Sequence, residues 1–399
     1  MKNFLKKLLR VKFGDIPHMF MFVLAIIPSK MKKKENIWLI CEDEMEARDN
    51  GYWLFKFIKE NYPEQSCYYA INKKSSDYKK VSHFGDIIEY GSFKHWIYYL
   101  AASRNISSQK SGKPNAAICY FLEVYGLINA NTVFLQHGII KDDLKWLYYS
   151  VTKMKMFCTS AFDEYKYVKE KFGYPENAVK YVGQCRFDNL HNINSDLKTI
   201  LIMPTWREWI ADEDYRLKKL EGTTVISETD YFKKWNEFLN NEQLVNISKK
   251  YNIKFMFFPH RNMQKYLKYF CKSNEFIEII DWRDRDIQDV LKEAALMITD
   301  YSSVFFDMIY MKKPIIFYQF DYEKFRSYQY SEGYFNYKDN PFGKSFCNQN
   351  DVFNELEKII NNDFKVSSDY LTAHDNFYRL YDCENCKRTY NEIKNLYRH

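Results

Sequence analysis

The stretch ALMITDYSSVFFDMIYMKKPIIFYQF, residues 295–320, reads as strand, turn, helix and strand, and the rest of the chain can be organised around it. Its two apolar runs are nearly continuous rather than alternating, as expected of strands buried on both faces of a parallel sheet. Between them Thr299, Asp300, Tyr301, Ser302 and Ser303 are five consecutive groups able to hydrogen-bond. Such groups are costly to bury without partners, so a ligand at the strand end is one expectation. A helix starting near Ser302 or Ser303 would be capped by a hydroxyl and would turn its positive end toward an anion such as phosphate. The competing reading is ordinary N-capping, with Asp300 and Ser302 facing water. No glycine-rich loop or GK[ST] sequence is present, so this is not a P-loop.

Working outward, apolar runs of strand length recur at 36–43, 66–72, 116–121, 131–138 and 154–160, and again at 198–208, 253–261, 276–281, 295–300 and 313–320. Helix-like segments such as RDNGYWLFKFIKENYP, DEYKYVKEKFG and RDIQDVLKEAA lie between them. Repeated strand, helix, strand order predicts an α/β chain of two doubly wound domains. The polar, turn-rich DNLHNINSDLK marks the boundary. The expected organisation is an arm at 1–35, a domain at 36–190, and a second domain at 195–399 that includes the C-terminal helices. Ligands of such sheets sit outside the carboxyl ends of the strands, so the residues that end each strand are the ones to read.

The 399 residues carry a net charge of +7, and residues 1–35, with nine basic and two acidic residues, account for all of it. A balanced remainder argues against a nucleic-acid partner, which would draw cations across the core domains. The apolar run IPHMFMFVLAII between the basic clusters is shorter than the ~20 residues of a spanning helix. It leads straight into the first strand without a small-residue cleavage site. Two readings stay open: monotopic attachment to an anionic membrane surface, and a docked N-terminal helix with a solvated end. The nine cysteines are scattered and are expected to be reduced thiols. The lone CxxC of Cys383 and Cys386 lacks the further ligands of a zinc site.

Four strand ends carry chemistry: QHG, PTWR, PHR and DYSS. His137 stands at the first, with Gly138 removing bulk beside it and Lys141 one turn on. A histidine with its ordinary pKa near neutrality can accept a proton from an attacking hydroxyl. At PHR, His260 and Arg261 suit a phosphate, the arginine because its fork donates twice. Trp206 and Arg207 at PTWR are candidate ribose or phosphate contacts, with packing as the alternative for Trp206.

The motifs QHGIIKDD, GQCRFDNL, MPTWRE, FFPHR, ITDYSSVFFDMIYMKKPIIFYQFD and EGYF occur in an order that resembles the CDP-glycerol:poly(glycerophosphate) glycerophosphotransferase family, the teichoic acid primases and polymerases. The similarity runs from about Asn36 to about Arg388 and is most specific across 295–335. It implies a GT-B-type fold, two Rossmann-like domains facing a cleft, and monotopic attachment at the cytoplasmic face of the cell membrane. It also implies a CDP-linked alcohol, commonly CDP-glycerol, whose diphosphate is held by Ser302, Ser303, His260 and Arg261, with Arg207 as a further candidate. His137 resembles the family's proposed general base, with His260 beside it among the catalytic candidates and Asp300, Tyr301 and Glu332 as further cleft residues.

Two positions depart from the pattern: Gln136 stands where many members have Trp, and Glu332-Gly333 where many have Arg-Gly. The second change replaces a cation by an anion and leaves open ribitol phosphate or another CDP-polyol as the donor. Mg2+ is compatible with a diphosphate donor, although no carboxylate cluster with ligand spacing demands it. The expected activity is transfer of a polyol phosphate to a lipid-linked or capsular glycan acceptor, with release of CMP. The rivals are a GT-B glycosyltransferase using a UDP- or GDP-sugar, and a non-catalytic module of an envelope-synthesis complex.

Overall fold

The computed structural model describes residues 13–396 apart from 192, 194, 212, 213 and 271–273. Lys2, Lys6, Lys7, Arg10 and Lys12 of the expected basic arm lie outside the described residues. The chain forms two compact units, one of Met1–Ile139, Lys145–Asn189 and Leu380–His399, the other of Ile140–Leu144 and Leu190–Arg379.

The first unit holds β1 (Trp38–Ile40), β2 (Cys67–Ile71), β3 (Ile87–Glu89), β4 (Arg104–Ser107) and β5 (Thr132–Phe134). After β6 (Asp142–Asp143), which belongs to the other unit, come β7 (Met156–Thr159) and β8 (Val179–Tyr181). All seven strands pair in parallel in the order β3-β2-β1-β4-β5-β7-β8, so the order reverses between β1 and β4. The expected strand at 116–121 is instead part of a helix, Ala116–Val124, capped by the Asn115 side chain, which accepts from the Ile118 N–H at 3.0 Å. The strand it displaces is β4, whose sequence RNIS carries no apolar run but is wholly buried. Its long polar side chains donate to carbonyls outside the strand. Asn105 Nδ2 donates to the Tyr99 and Ala130 carbonyls at 3.0 and 2.7 Å, and Arg104 Nε to the Ile393 carbonyl at 3.2 Å.

A second correction concerns the C-terminus. Residues from Leu380 onward pack with the first unit rather than closing the 195–399 domain. Asp188 accepts from the main-chain N–H groups of Asn385 and Cys386, both at 2.9 Å, at the start of the helix Asn385–Asn395. Tyr390 stacks on Tyr62 with ring centroids 3.9 Å apart. Gly183 makes the approach feasible, since its φ is +81° and an added Cβ would sit 1.7 Å from Asn385 Oδ1.

The second unit holds β9 (Asp196–Met203), β10 (Lys254–Phe257), β11 (Ile277–Ile279), β12 (Ala294–Thr299), β13 (Ile315–Tyr318) and β15 (Gly343–Phe346), parallel in the order β11-β10-β9-β12-β13-β15. Here the order reverses between β9 and β12. β14 (Ser331–Glu332) pairs antiparallel with β6 in a separate ribbon. The core is aromatic: Trp235, Phe238, Phe255 and Phe257 are fully buried beside Ile200, Ile202, Leu296 and Ile298 of the central strands.

At the other end of the chain, the helix Ile16–Lys32 lies on the helix Phe93–Ala101 by one face only. Trp96 Nε1 donates to His18 Nδ1 at 3.2 Å, and Asn115 Nδ2 to Asp15 Oδ1 at 2.7 Å. Its opposite face leaves Phe20, Val23, Leu24, Ile27 and Met31 between 61% and 79% exposed. Among the described residues no helix is long and apolar enough to cross a membrane.

Candidate active site

In the second unit the reversal of strand order falls between PTWR, which follows β9, and DYSS, which follows β12. A doubly wound sheet opens its crevice at such a point. Two short bonds stitch its sides together. Asp300 Oδ1 accepts from the Thr205 N–H at 2.8 Å, and Thr299 Oγ1 donates to the Met203 carbonyl at 2.7 Å. Most of the polar run after β12 is therefore paired within the protein. Asp300 Oδ1 also accepts from the Tyr301 N–H at 2.6 Å, and the Tyr301 hydroxyl donates to Asp321 at 3.1 Å.

The helix that follows starts at Phe305, later than the expected Ser302 or Ser303, and runs only to Tyr310. The N–H groups of Phe305, Phe306 and Asp307 already bond the carbonyls of Ser302, Ser303 and Val304. The expectation of a bare helix end for phosphate is thus corrected. What this turn offers is its side chains. Ser302 is buried with Oγ accepting from the Val304 N–H at 3.3 Å, while Ser303 is half-buried.

Arg207 is also reassigned. It is completely buried, its Nε and Nη2 bond the Asp321 carboxylate at 2.8 and 2.9 Å, and Nη2 lies 2.9 Å from Asp300 Oδ2. Its guanidinium sits 5.0 Å from the ring centroids of Tyr231 and Tyr301. Burial opposes the charge, but Asp321 and Asp300 outweigh it and hold the pKa above the ordinary value. A guanidinium so enclosed anchors the crevice wall and is not placed to touch a phosphate.

Lys141 is likewise committed: buried, ion-paired with Asp142 and 5.7 Å from the Tyr337 ring centroid, with burial lowering its pKa against the pull of Asp142. Arg326 Nη1 donates to the other Asp142 oxygen at 2.6 Å. Three cations and three carboxylates (Arg207, Lys141, Arg326; Asp142, Asp300, Asp321) therefore balance within this unit. Glu332 is exposed on β14 and bonded by the Tyr322 hydroxyl. Gly333 follows it because a Cβ there would meet the Lys141 carbonyl at 2.3 Å.

His260, Arg261 and Trp206 keep accessible surface. The His260 N–H donates to the Pro204 carbonyl at 3.0 Å, and its ring lies near-parallel to Trp206 with centroids 6.1 Å apart. Nδ1 accepts from the Asn262 N–H at 3.2 Å, so in the neutral ring the proton is on Nε2, a donor suited to a phosphate oxygen. Arg261 stacks over Trp282 at 4.8 Å and borders a cavity of about 470 Å³ that Lys265, Asp281, Trp282 and Arg283 also line.

In the first unit His137 follows β5, with Gly138 buried next to it. The residue is exposed to solvent, and neighbouring protein crowds its ring. That crowding lowers its pKa; Asp49 acts to raise it, Arg186 to lower it, and a main-chain bond at Ser108 to raise it.

The crevice between β1 and β4 of this unit is closed to a phosphate by its own side chains. At the start of the helix Asn50–Asn61, Glu42 accepts from the N–H groups of Arg48, Asp49 and Tyr52 at 3.0, 3.2 and 2.8 Å, and Ser108 Oγ from that of Gly51 at 2.8 Å. Burial, then Asp49, pushes the Glu42 pKa up to about 8 against the lowering effect of those main-chain donors. The helix end is already occupied by a carboxyl group that belongs to the chain.

Sequence reasoning did not single out Asp321, Asp142, Arg326, Glu42, Asp49, Asn50 or Arg186. The available signal was a charge directly after or inside an apolar run, as in WLICED and GQCRF. Among the described residues no set of three or more His, Cys, Asp or Glu side chains is arranged to hold a metal ion.

Residues 20–395 match the family model described as CDP-Glycerol:Poly(glycerophosphate) glycerophosphotransferase. The chain is 32% identical over 368 residues to the minor teichoic acid biosynthesis protein GgaB of Bacillus subtilis (strain 168), covering 91% of this chain and 40% of that one. It is 24% identical to the teichoic acid glycerol-phosphate transferase of Staphylococcus aureus (strain NCTC 8325 / PS 47), covering 72% and 69%. Among curated relatives the match thus spans less than half of GgaB and, at 46%, of a Bacillus subtilis poly(glycerol phosphate) polymerase. The structure of the wall teichoic acid polymerase TagF superposes with a TM-score of 0.64 at 15% identity, covering 99% of this chain and 98% of that one. This places the fold in the GT-B-type class with two Rossmann-like domains.

Proposed function

Because the chain belongs to the CDP-glycerol:poly(glycerophosphate) glycerophosphotransferase family, we propose that it transfers glycerol phosphate, or a related polyol phosphate, from a CDP-linked donor to a hydroxyl of a cell-envelope or capsule glycan. The observation that carries this reading is the crevice of the second unit. Trp206 and His260, whose N–H bonds the Pro204 carbonyl, flank one side of it, and on the other the Ser302–Ser303 turn follows Asp300, which accepts from the Thr205 N–H and pairs with Arg207. The corresponding helix end of the first unit is filled by Glu42, which favours the second unit as the donor side.

The donor diphosphate is held by His260, Ser302, Ser303 and Arg261. The acceptor hydroxyl oxygen attacks the phosphorus that bears the glycerol, the bond from that phosphorus to the CMP oxygen breaks, and a phosphodiester forms. His137 takes the proton of the hydroxyl. Alignment and neutralisation of charge supply most of the rate in such a transfer. Glu332, an exposed anion on β14, is a candidate contact for the polyol. Soaks of a TagF variant with CDPG support the choice of donor.

Thermal shifts with CDP-glycerol, CDP-ribitol, UDP-glucose and GDP-mannose test the donor. A CDP-alcohol is expected to raise Tm by several degrees while the sugar nucleotides leave it within about a degree, since saturation at 100 times Kd contributes about 2.7 kcal/mol. A shift with a UDP- or GDP-sugar alone, or no CMP release with any glycan acceptor, overturns the proposal.

The same reading places the protein on the cytoplasmic face of the membrane as a peripheral protein. The exposed Phe20, Val23, Leu24, Ile27 and Met31 enter the lipid interface, and Lys30 and Lys33 meet anionic headgroups. Replacing Phe20, Leu24 and Ile27 together by glutamate is expected to abolish flotation with anionic vesicles and leave far-UV circular dichroism unchanged. Equal flotation of variant and parent removes the membrane claim.

A further inference from the structure

The turn that presents His137 begins at Gln136, whose φ is +68°, a left-handed conformation that residues other than glycine rarely adopt. Such a residue persists only when its surroundings over-determine it. Asn50, completely buried at the first turn of the helix Asn50–Asn61, is what holds it. Its Nδ2 donates to the Gln136 carbonyl at 2.8 Å, and its Oδ1 accepts from the Arg186 N–H at 3.1 Å. Arg186 turns back on the same turn. Its Nη1 donates to the His137 carbonyl at 3.1 Å and pairs with Asp49 Oδ1 at 2.8 Å. Asp49 in turn accepts from the Asn50 N–H at 2.7 Å, closing the circuit.

We propose that Asn50, Arg186 and Asp49 are the positioning residues of His137, fixing two successive carbonyls of its turn and setting the charge around its ring. The proposal rests on the reading of His137 as the base. Asn50 is suited to the task because one amide has both a donor and an acceptor, so a single side chain ties the turn after β5 to the turn after β8. Aspartate at 50 could accept from Arg186 but would set an anion against the Gln136 carbonyl. Leucine would fill the space and make neither bond.

The helix start itself cannot drift. The N–H groups of Gly51 and Tyr52 are taken by Ser108 Oγ and Glu42. The turn that aims the ring is thereby referenced to the central strand β1, whose end carries Glu42. The charged groups acting on the ring are Asp49 from the helix start and Arg186 from the turn after β8.

The test uses the full chain with Asn50→Leu, Asn50→Asp, Asp49→Asn and His137→Gln. Asn50→Leu is expected to lower kcat about a hundredfold, the loss that a displacement of about 1 Å can cause, with the donor KM within twofold. Asp49→Asn is expected to move the His137 titration, followed by NMR of ¹³C-labelled histidine and assigned with His137→Gln, toward lower pH. The acid limb of the rate should move with it. Wild-type kcat in Asn50→Leu, or an unmoved His137 titration in Asp49→Asn, overturns the inference. Should Asn50→Leu fail to fold, the Asp49→Asn titration decides alone, because it needs neither activity nor a change at position 50. Failure of the base reading is distinguishable: His137→Gln would then keep its activity, while the titration in Asp49→Asn would still report the coupling.

Discussion

Replacing Arg207 with alanine is expected to destabilise the second unit by about 3–5 kcal/mol, the usual cost of leaving a buried charge without its partner. The substitution strands two carboxylates at once. Asp321 loses both bonds of a two-pronged pair, and Asp300, completely buried, loses the cation that offsets its desolvation. Three aromatic neighbours, Tyr231, Tyr301 and Phe325, also lose the guanidinium they pack around. Urea denaturation of the full chain at pH 7, followed by tryptophan fluorescence, measures it. A loss below about 1 kcal/mol would mean the cluster relaxes in a way the geometry does not suggest.

The pH dependence has a sign. Burial already raises the Asp300 pKa despite Arg207 and two main-chain donors. Without the arginine it rises further, and a carboxyl whose folded pKa exceeds its unfolded one adds stability below the unfolded value and loses it as pH rises through the folded one. The variant should therefore recover part of its stability on mild acidification. Arg207→Lys, with a point charge in place of a fork, is expected to fall between the two.

Replacing His137 with alanine is expected to reduce transfer by about 10²–10⁴, the range that a positioned general base supplies. Donor affinity should change less than twofold, since the groups proposed to hold the diphosphate are in the other unit. Isothermal titration with CDP-glycerol and CMP release with a glycan acceptor separate the two effects. In the parent enzyme the rate should rise with pH as the ring loses its proton and level off earlier than for an ordinary histidine, because protein packed around the ring lowers its pKa. A variant that keeps more than a tenth of the rate, or one that loses the donor, would remove His137 from the proton step.

Much of the fold was legible because it follows from local pattern. Near-continuous apolar runs marked β1, β2, β5, β7 and the central strands of the second unit, and the alternation of strand with helix implied parallel sheets. The same reading misassigned AAICYF, where an apolar run is equally consistent with a buried helix. It also passed over RNIS, a buried strand in which Arg104 Nε and Asn105 Nδ2 donate to the carbonyls of Ile393, Tyr99 and Ala130. The helix Asn385–Asn395 was placed with the wrong unit, because nothing local in its sequence says that Asp188 will cap it.

The site divides along the same line. Sequence by itself determined which residue types end the strands, and hence that His137, His260, Arg261 and the serine pair stand at the carboxyl ends of strands. Tertiary structure alone decided what each is free to do. Arg207 and Lys141 have the chemistry of phosphate ligands, but are spent on carboxylates brought from 93 or more residues away in the one case and enclosed beside Arg326 in the other. Residue type and spacing set a side chain's capacity to bond. Whether that capacity is left for a ligand depends on partners that folding delivers from remote parts of the chain.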